Sequence, residues 1–250
     1  MAETVLAAVV GAAIGSFLNV VIHRVPLGES LVKPGSRCPS CGAALAPYDN
    51  VPVVSWLILR GRCRHCAAPI SPRYPVVELV TAVAFAAVVA VRGADDDLLI
   101  ELPFVACLIA LAAIDLDSRL LPNKIVYPMA AWGVFATVVA DTQDLPEHLI
   151  AGAATFAFLL AAALAYPAGM GMGDVKLGGA MGIYLGLSVA PALMAAFLSG
   201  TVVGLAIIAR EGAGARKKAV PFGVFLALGG LVGVLVGPEL IDLYRDELLS

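Results

Sequence analysis

The sequence predicts an all-α polytopic membrane protein of about eight transmembrane helices, with one small polar insertion after the first. Three observations predict it. The 250 residues are 60% hydrophobic and only 14% charged, against about 25% charge in ordinary soluble domains, and the mean hydropathy is +0.93. That much apolar side chain cannot be hidden inside a soluble fold, so lipid must solvate most of it. The apolar residues also gather into runs near the roughly 20 residues that a membrane helix needs. Finally, the basic residues alternate from one side of these runs to the other.

The runs fall at about 5–22, 75–91, 98–114, 125–140, 148–166, 175–187, 191–209 and 220–236. The first has Glu3 ahead of it and no basic flank, which predicts a retained helix rather than a cleaved leader. Gly11 and Gly15 lie on it at a spacing that lets two helix backbones approach closely. The sixth run is short and rich in glycine. Between the first and second runs lies a stretch rich in Pro, Gly, Cys and Arg, residues 23–73. No sequence repeat of period 20–50 and no low-complexity tract is visible. The chain thus divides into a first transmembrane helix (1–24), a loop domain (25–73) and a membrane-embedded domain of about seven helices (74–250).

Charge fixes the expected orientation. With the N-terminus outside, the cytoplasmic segments hold Arg24, Lys33, Arg37, Arg60, Arg62, Arg64 and Arg73; then Arg119 and Lys124; then Lys176; then Arg210, Arg216, Lys217 and Lys218. Of the 16 Lys and Arg, only Arg92 and Arg245 fall elsewhere. The external turns carry Asp95, Asp96 and Asp97, then Asp141, Asp144 and Glu147. This asymmetry is the positive-inside pattern. The net charge of −3 adds nothing to it.

Four of the five cysteines form two Cys-x-x-Cys knuckles, Cys38–Cys41 and Cys63–Cys66, with residues 42–62 between them. In a segment facing a reducing compartment such a pair of knuckles reads as metal ligands, at a spacing close to that of four-cysteine zinc ribbons. A loop of this size has little core of its own, and Zn²⁺ ligation would supply the folding energy. The insertion is therefore expected to be a small zinc-ribbon-like cytoplasmic domain with a closed, structural site. His65 inside the second knuckle is read as a bystander, and Cys107, alone in an apolar run, as a small hydrophobe.

Two aspartates stand where charge is costly and usually functional. Asp115 sits where the third run meets the cytoplasmic face, in IDLDSRLLPN, and Asp174 where the sixth run starts from that face, in GMGDVKL. The alternation of charge alone brings them to similar depth. Two neighbouring carboxylates do not both ionise easily; one keeps a proton while the other activates a water, which is what peptide hydrolysis needs. Gly171 and Gly173 are expected to let a substrate backbone approach and to free the chain for positive φ. Asp174 is expected at the favourable end of a helix dipole. Asp117 reads as an interfacial carboxylate or a partner of Arg119.

Several blocks together resemble the bacterial prepilin peptidases, the type IV leader peptidase family. They are GSFLNVVIHRVP at 15–26, the two knuckles, VPVVSWLILRGRCRHC at 51–66, SPRYPVVEL at 71–79, IDLDSRLLPN at 114–123 and GMGDVKL at 171–177. The resemblance covers about residues 15–187, and the last two runs share only its general character. It implies an inner-membrane aspartic endopeptidase with Asp115 and Asp174 as the catalytic pair and Zn²⁺ on Cys38, Cys41, Cys63 and Cys66. It further implies that residues 74–250 form the protease domain. The substrates it implies are type IV prepilins and pseudopilins, cut after a glycine at the cytoplasmic face. It also implies N-methylation of the new N-terminus from S-adenosylmethionine. No Gly-rich nucleotide loop follows a strand here, so no cofactor-binding residues are assigned; the N-terminal region is the expected host. Two other readings stay open at this stage: a different Gly-x-Gly-Asp intramembrane protease, or a transporter using the two aspartates as an ion site.

Overall fold

A computed structural model of the chain describes residues 1–95, 97–140, 144–167, 169–212 and 220–249. Asp96 and Asp141 of the acidic turns and Arg216, Lys217 and Lys218 of the last basic segment lie outside them. The protein is helical: α1 (Ala2–Leu27), α2 (Val54–Ile58), α3 (Arg73–Arg92), α4 (Leu98–Ser118), α5 (Asn123–Ala140), α6 (Leu145–Ala165), α7 (Met172–Leu185), α8 (Val189–Glu211) and α9 (Phe222–Leu249). Short 3-10 turns lie at Pro47–Asn50 and Gly186–Ser188. No strand forms among the described residues.

Each of the eight apolar runs falls on a helix, and several helices outgrow their runs because nothing in the flanking sequence stops them. α1 continues to Leu27 and ends at Gly28, whose φ of 71° lets its amide turn back to Arg24 O and Val25 O, a left-handed cap suited to glycine. α7 has only 14 residues and stops at Gly186, with φ 52° and ψ −133°. The break that follows is tied down by side chains: the Leu187 amide donates to Glu147 Oε1 at 3.2 Å, and His148 Nδ1 lies 2.7 Å from Ile183 O. Among the described residues, six segments are long and apolar enough to cross a membrane; one of them, Met172–Glu211, joins α7 to α8, and α5 is not among them.

The chain forms two compact units, Met1–Ala94 and Asp95–Ser250. The sequence grouped residues 74–250 together, but α3 packs with α1. The reason is the glycine pair. A Cβ on Gly11 would lie 2.8 Å from Thr81 O, and one on Gly15 would lie 2.7 Å from Glu78 Cα, so the two backbones nearly touch, as small residues in membrane helices allow. Glu78, buried on α3, accepts the Val53 amide at 2.7 Å. That bond fastens the start of α2 to the membrane helix.

In the second unit α4 is the central helix. Phe104, Leu108, Leu111 and Ile114 are fully buried and recur every three or four residues, one continuous stripe of the helix. Phe104 stacks on Tyr184 of α7, with ring centroids 4.4 Å apart, and the Tyr184 hydroxyl donates to Met129 O on α5 at 2.8 Å. α6 and α7 cross through glycine: a Cβ on Gly182 would lie 2.6 Å from Ala151 O and 2.7 Å from Gly152 Cα. These contacts fix the carboxyl end of α7 (Met172–Leu185), and Asp174 lies at its other end.

Candidate active site

Asp174 is the third residue of α7. Its Oδ2 accepts the Gly171 amide at 2.9 Å, and its own amide donates to Gly171 O at 3.1 Å. This reciprocal pair caps the helix start and leaves the carboxylate one orientation, at the positive end of the helix as expected. The side chain is 9% exposed, and the next residue, Val175, is fully buried.

Asp115 lies one turn before the end of α4, after the buried Ile114, and is 5% exposed. Its backbone carbonyl accepts the Arg119 amide at 2.9 Å. Arg119, at φ 54°, turns the chain out of the helix in the left-handed conformation. The fold brings Asp115 and Asp174 together, near enough for the charge of one to act on the other. Asp117, by contrast, is exposed.

Two features of the site were not legible in the motifs. The first is the use of the glycines. Gly171 has φ −87° and ψ 157°, ordinary extended backbone, and Gly173 lies inside α7. Neither adopts positive φ, so conformational freedom is not what these positions need. Gly173 makes room instead: a Cβ there would lie 3.0 Å from Leu121 Cβ. The second is the start of α9. The amides of Gly223 and Val224 face the Asp115 carboxyl, and Leu121 wedges between Gly173 on one side and Gly223 on the other. A glycine directly after Pro221-Phe222, at the start of the last run, is the one signal for it in the sequence. At the same mouth Lys176 Nζ donates to Asn123 Oδ1 at 3.1 Å and lies 5.4 Å from the centre of the Tyr127 ring.

In the loop of the first unit the four knuckle thiols converge. The sulfurs of Cys38, Cys41, Cys63 and Cys66 all lie within 4.8 Å of one another, and Cys38 Sγ is 3.8 Å from Cys66 Sγ. Four thiolates at about 2.3 Å from a central Zn²⁺ would stand about 3.8 Å apart, so the donor set fits a tetrahedral metal ion with little adjustment. The two knuckles are built alike. Cys38 N and Cys63 N donate to Ala43 O and Ala68 O, and Gly42 N and Ala67 N return to Cys38 O and Cys63 O, all at 2.9 Å. Gly42 and Ala67 occupy the same left-handed turn, at φ 70° and 56°. An isolated bridge closes each knuckle, Arg37 with Ala44 and Arg62 with Pro69. The chain therefore repeats one local structure at a spacing of 25 residues, and besides the cysteines only Arg37/Arg62 and Ala43/Ala68 repeat with it across residues 37–45 and 62–70.

Electrostatics fit the same use. Amides of Cys41 and Ser40 hold the Cys38 thiol down at about 6, which favours its thiolate. At Cys66 the Ala68 amide pulls downward, but desolvation and the neighbouring sulfurs prevail and push it up to about 11. A divalent cation is what allows all four to be thiolates at once. His65 is exposed and outside the cluster. Asp49 braces the second knuckle, accepting Arg64 Nε and Nη2 with a shortest contact of 2.6 Å.

Comparison with known proteins agrees with this division. Residues 9–92 match the bacterial peptidase A24 N-terminal domain, and residues 102–209 match the type IV leader peptidase family. Three similar proteins carry the name prepilin leader peptidase/N-methyltransferase. That of Aeromonas hydrophila is 34% identical over 94% of this chain and 91% of its own length. That of Bacillus subtilis is 33% identical over 94% of each. That of Myxococcus xanthus is 39% identical over 91% of this chain and 57% of its own length. No solved structure matches. On the strength of both family matches and of two relatives aligned over more than nine-tenths of their length, the chain belongs to the type IV leader peptidase family.

Proposed function

We propose that this protein is an inner-membrane prepilin leader peptidase whose catalytic pair is Asp115 and Asp174. The observation that supports this most is the meeting of two buried carboxylates, carried by the end of α4 and the start of α7, in a chain of this family. One carboxylate, as general base, takes a proton from a water as it attacks the scissile carbonyl. The other, protonated, gives its proton to the developing oxygen or the leaving amine. The transporter reading asks for an ion site built on related repeats, and nothing in the fold favours it.

The substrates in this reading are type IV prepilins or pseudopilins, cut after a glycine on the cytoplasmic side, with the N-terminus of the enzyme outside and all eight long helices crossing. The apolar helix of the substrate docks laterally in lipid and supplies most of the binding. Attraction between a basic leader and the carboxylates reaches only about 8–10 Å at ordinary salt. Cys38, Cys41, Cys63 and Cys66 hold one structural Zn²⁺, which keeps the loop folded.

The relatives' shared name adds methylation of the new N-terminus, for which S-adenosylmethionine supplies the methyl group. A cavity of about 270 Å³ between α1 and the loop is lined by Ser16, Phe17, Arg24, Ser36 and Asn50 among others. A guanidinium and an aromatic ring suit the carboxylate and adenine of such a molecule. Retention of labelled S-adenosylmethionine by purified protein, lost in Arg24→Ala, tests this independently of any turnover.

The deciding experiment for the peptidase is leader removal from a full-length prepilin in detergent. Asp115→Asn and Asp174→Asn should each lose cleavage entirely while the protein still inserts, and Asp117→Asn should be mild. Near-normal cleavage by either of the first two removes the mechanism.

A further inference from the structure

We propose that the first turn of α9 is the third wall of the aspartate pair and that Gly223 is a positioning residue for Asp115. The proposal rests on Asp115 and Asp174 being the cleaving pair. Two independent observations meet at this point. Gly223 has no room for a side chain: a Cβ would lie 2.8 Å from Asp115 Oδ2, 3.0 Å from Leu121 Cδ2 and 3.2 Å from Asp115 Cγ. And Asp115 Oδ2, on a side chain only 5% exposed, has no hydrogen-bond partner among the described residues.

The amides that face this carboxyl are those of the second and third residues of α9, Gly223 and Val224. The first four amides of any helix have no partner within it. These helix-start donors act on the Asp115 carboxyl, while its Oδ2 has no close partner among the described residues. A buried carboxylate oxygen without a close partner is costly, and a catalytic role is one of the reasons for which such a group is kept. The absent side chain at 223 lets the α9 backbone press on the carboxyl and restrict its rotation. The two amides then offset charge on it as the reaction redistributes protons. Leu121 completes the arrangement, filling the space that Gly173 and Gly223 both leave. One leucine from the first motif therefore gauges the gap between the helix starts that carry or face the two aspartates.

The test uses the full chain in detergent, with cleavage of a prepilin resolved into kcat and KM. Gly223→Ala should lower kcat on the order of a hundredfold, the penalty of an ångström-scale misplacement, with KM within about threefold since substrate binding is made elsewhere. Gly233→Ala is the control. It is as crowded, with Leu185 Cδ1 at 2.8 Å and Ala192 Cβ at 2.9 Å from the added atom, but remote from the pair. It should lower Tm and leave kcat alone. Adding Leu121→Ala to Gly223→Ala should not restore turnover. If it does, the glycine merely accommodates Leu121 and the inference is wrong. A Gly223→Ala enzyme within threefold of the parent, or a Gly233→Ala enzyme as slow as Gly223→Ala, overturns it too. Should Gly223→Ala fail to fold, replacement of Val224 by its α-hydroxy acid removes one amide N–H without adding an atom. It should cost roughly ten- to a hundredfold in kcat, the weight of a hydrogen bond to a charged group; an unchanged kcat refutes the donor role. Cleavage surviving Asp115→Asn would instead sink the underlying peptidase assignment, so the two failures are separate.

Discussion

Gly182→Ala should be a damaging single-methyl change in the membrane unit, away from the carboxylates. The added Cβ would stand 2.6 Å from Ala151 O, 2.7 Å from Ala151 C and 2.7 Å from Gly152 Cα. All three are backbone atoms of α6, so no rotamer change relieves the clash. Restoring an ordinary contact distance requires the helices to part by about 0.8 Å. Overpacking of this kind costs about 1–3 kcal/mol, and a rigid backbone crossing belongs at the upper end. Asp174 lies eight residues earlier on the same helix, about 12 Å along its axis, and a straight helix carries the displacement to it. Sub-ångström misplacement of a reacting group is enough for a rate loss on the order of tenfold to a hundredfold. Purified enzyme should therefore show a lowered Tm and slower leader cleavage together. Gly200→Ala supplies the contrast: its Cβ would meet only the Phe225 ring, at 3.4 Å. Replacing a helical glycine where there is space gains about 0.5–1 kcal/mol. That variant should be as active as the parent and no less stable. Gly182→Ala with normal Tm and cleavage would refute the claim that backbone contact between α6 and α7 seats Asp174.

Elemental analysis should find one zinc per chain. Cys38→Ser, Cys41→Ser, Cys63→Ser and Cys66→Ser should each lose it and unfold the loop, whereas Cys107→Ser should keep metal and cleavage. Ala67→Gly should stabilise the second knuckle by about 0.5–1 kcal/mol, because relief of left-handed alanine outweighs the added freedom of the unfolded chain. The measure is the chelator concentration that strips the metal, and a lower concentration than for the parent contradicts it. Acid should loosen the loop through Asp49, whose carboxyl the Arg64 hydrogen bonds hold below the usual carboxylate range. A lowered carboxylate adds stability above its unfolded value of about 3.9 and loses it as pH falls through the lower folded value. Fluorescence of Trp56 should thus be flat at neutral pH and change only below about pH 4, and Asp49→Asn should remove that step.

The helices were readable because lipid imposes a one-dimensional rule: a long apolar run with charged ends is a helix whatever it packs against. The same economy made Asp115 and Asp174 readable as a pair, since the alternation of charge leads to one expected depth for residues 115 and 174. The knuckles were readable because metal geometry dictates the cysteine spacing. What stayed hidden depends on contact between distant positions. Nothing in residues 220–224 announces that Gly223 abuts Asp115, more than a hundred residues earlier. The grouping of α3 with α1 turns on two glycines whose spacing shows that a helix is approached but not which one. Gly173 was assigned the wrong physical use because conformational freedom can be guessed from one residue, whereas the need for space is known only once Leu121 is seen beside it. The matching knuckle turns were invisible because one uses glycine and the other alanine for the same backbone shape.

The shortness of α7 has a consequence for depth. Its 14 residues rise about 21 Å, some 9 Å less than the hydrocarbon layer it occupies. A lipid-facing helix would meet that shortfall by drawing the bilayer thinner. α7 does not face lipid along most of its length: Asp174, Val175 and residues 177–182 are buried by its neighbours, so the shortfall is absorbed inside the protein. If every long helix crosses as proposed, α7, with its far end anchored by Glu147 and His148, would bring Asp174 to rest below the level where the longer helices around it emerge. Hydrolysis there requires water to descend to the carboxylates, and the bond to be cut must sink to meet it. A substrate with a stiff, fully helical segment across that bond would stop short. On the proposed function, local unwinding of the substrate by a few residues, rather than the charge of its leader, would be the step that admits it.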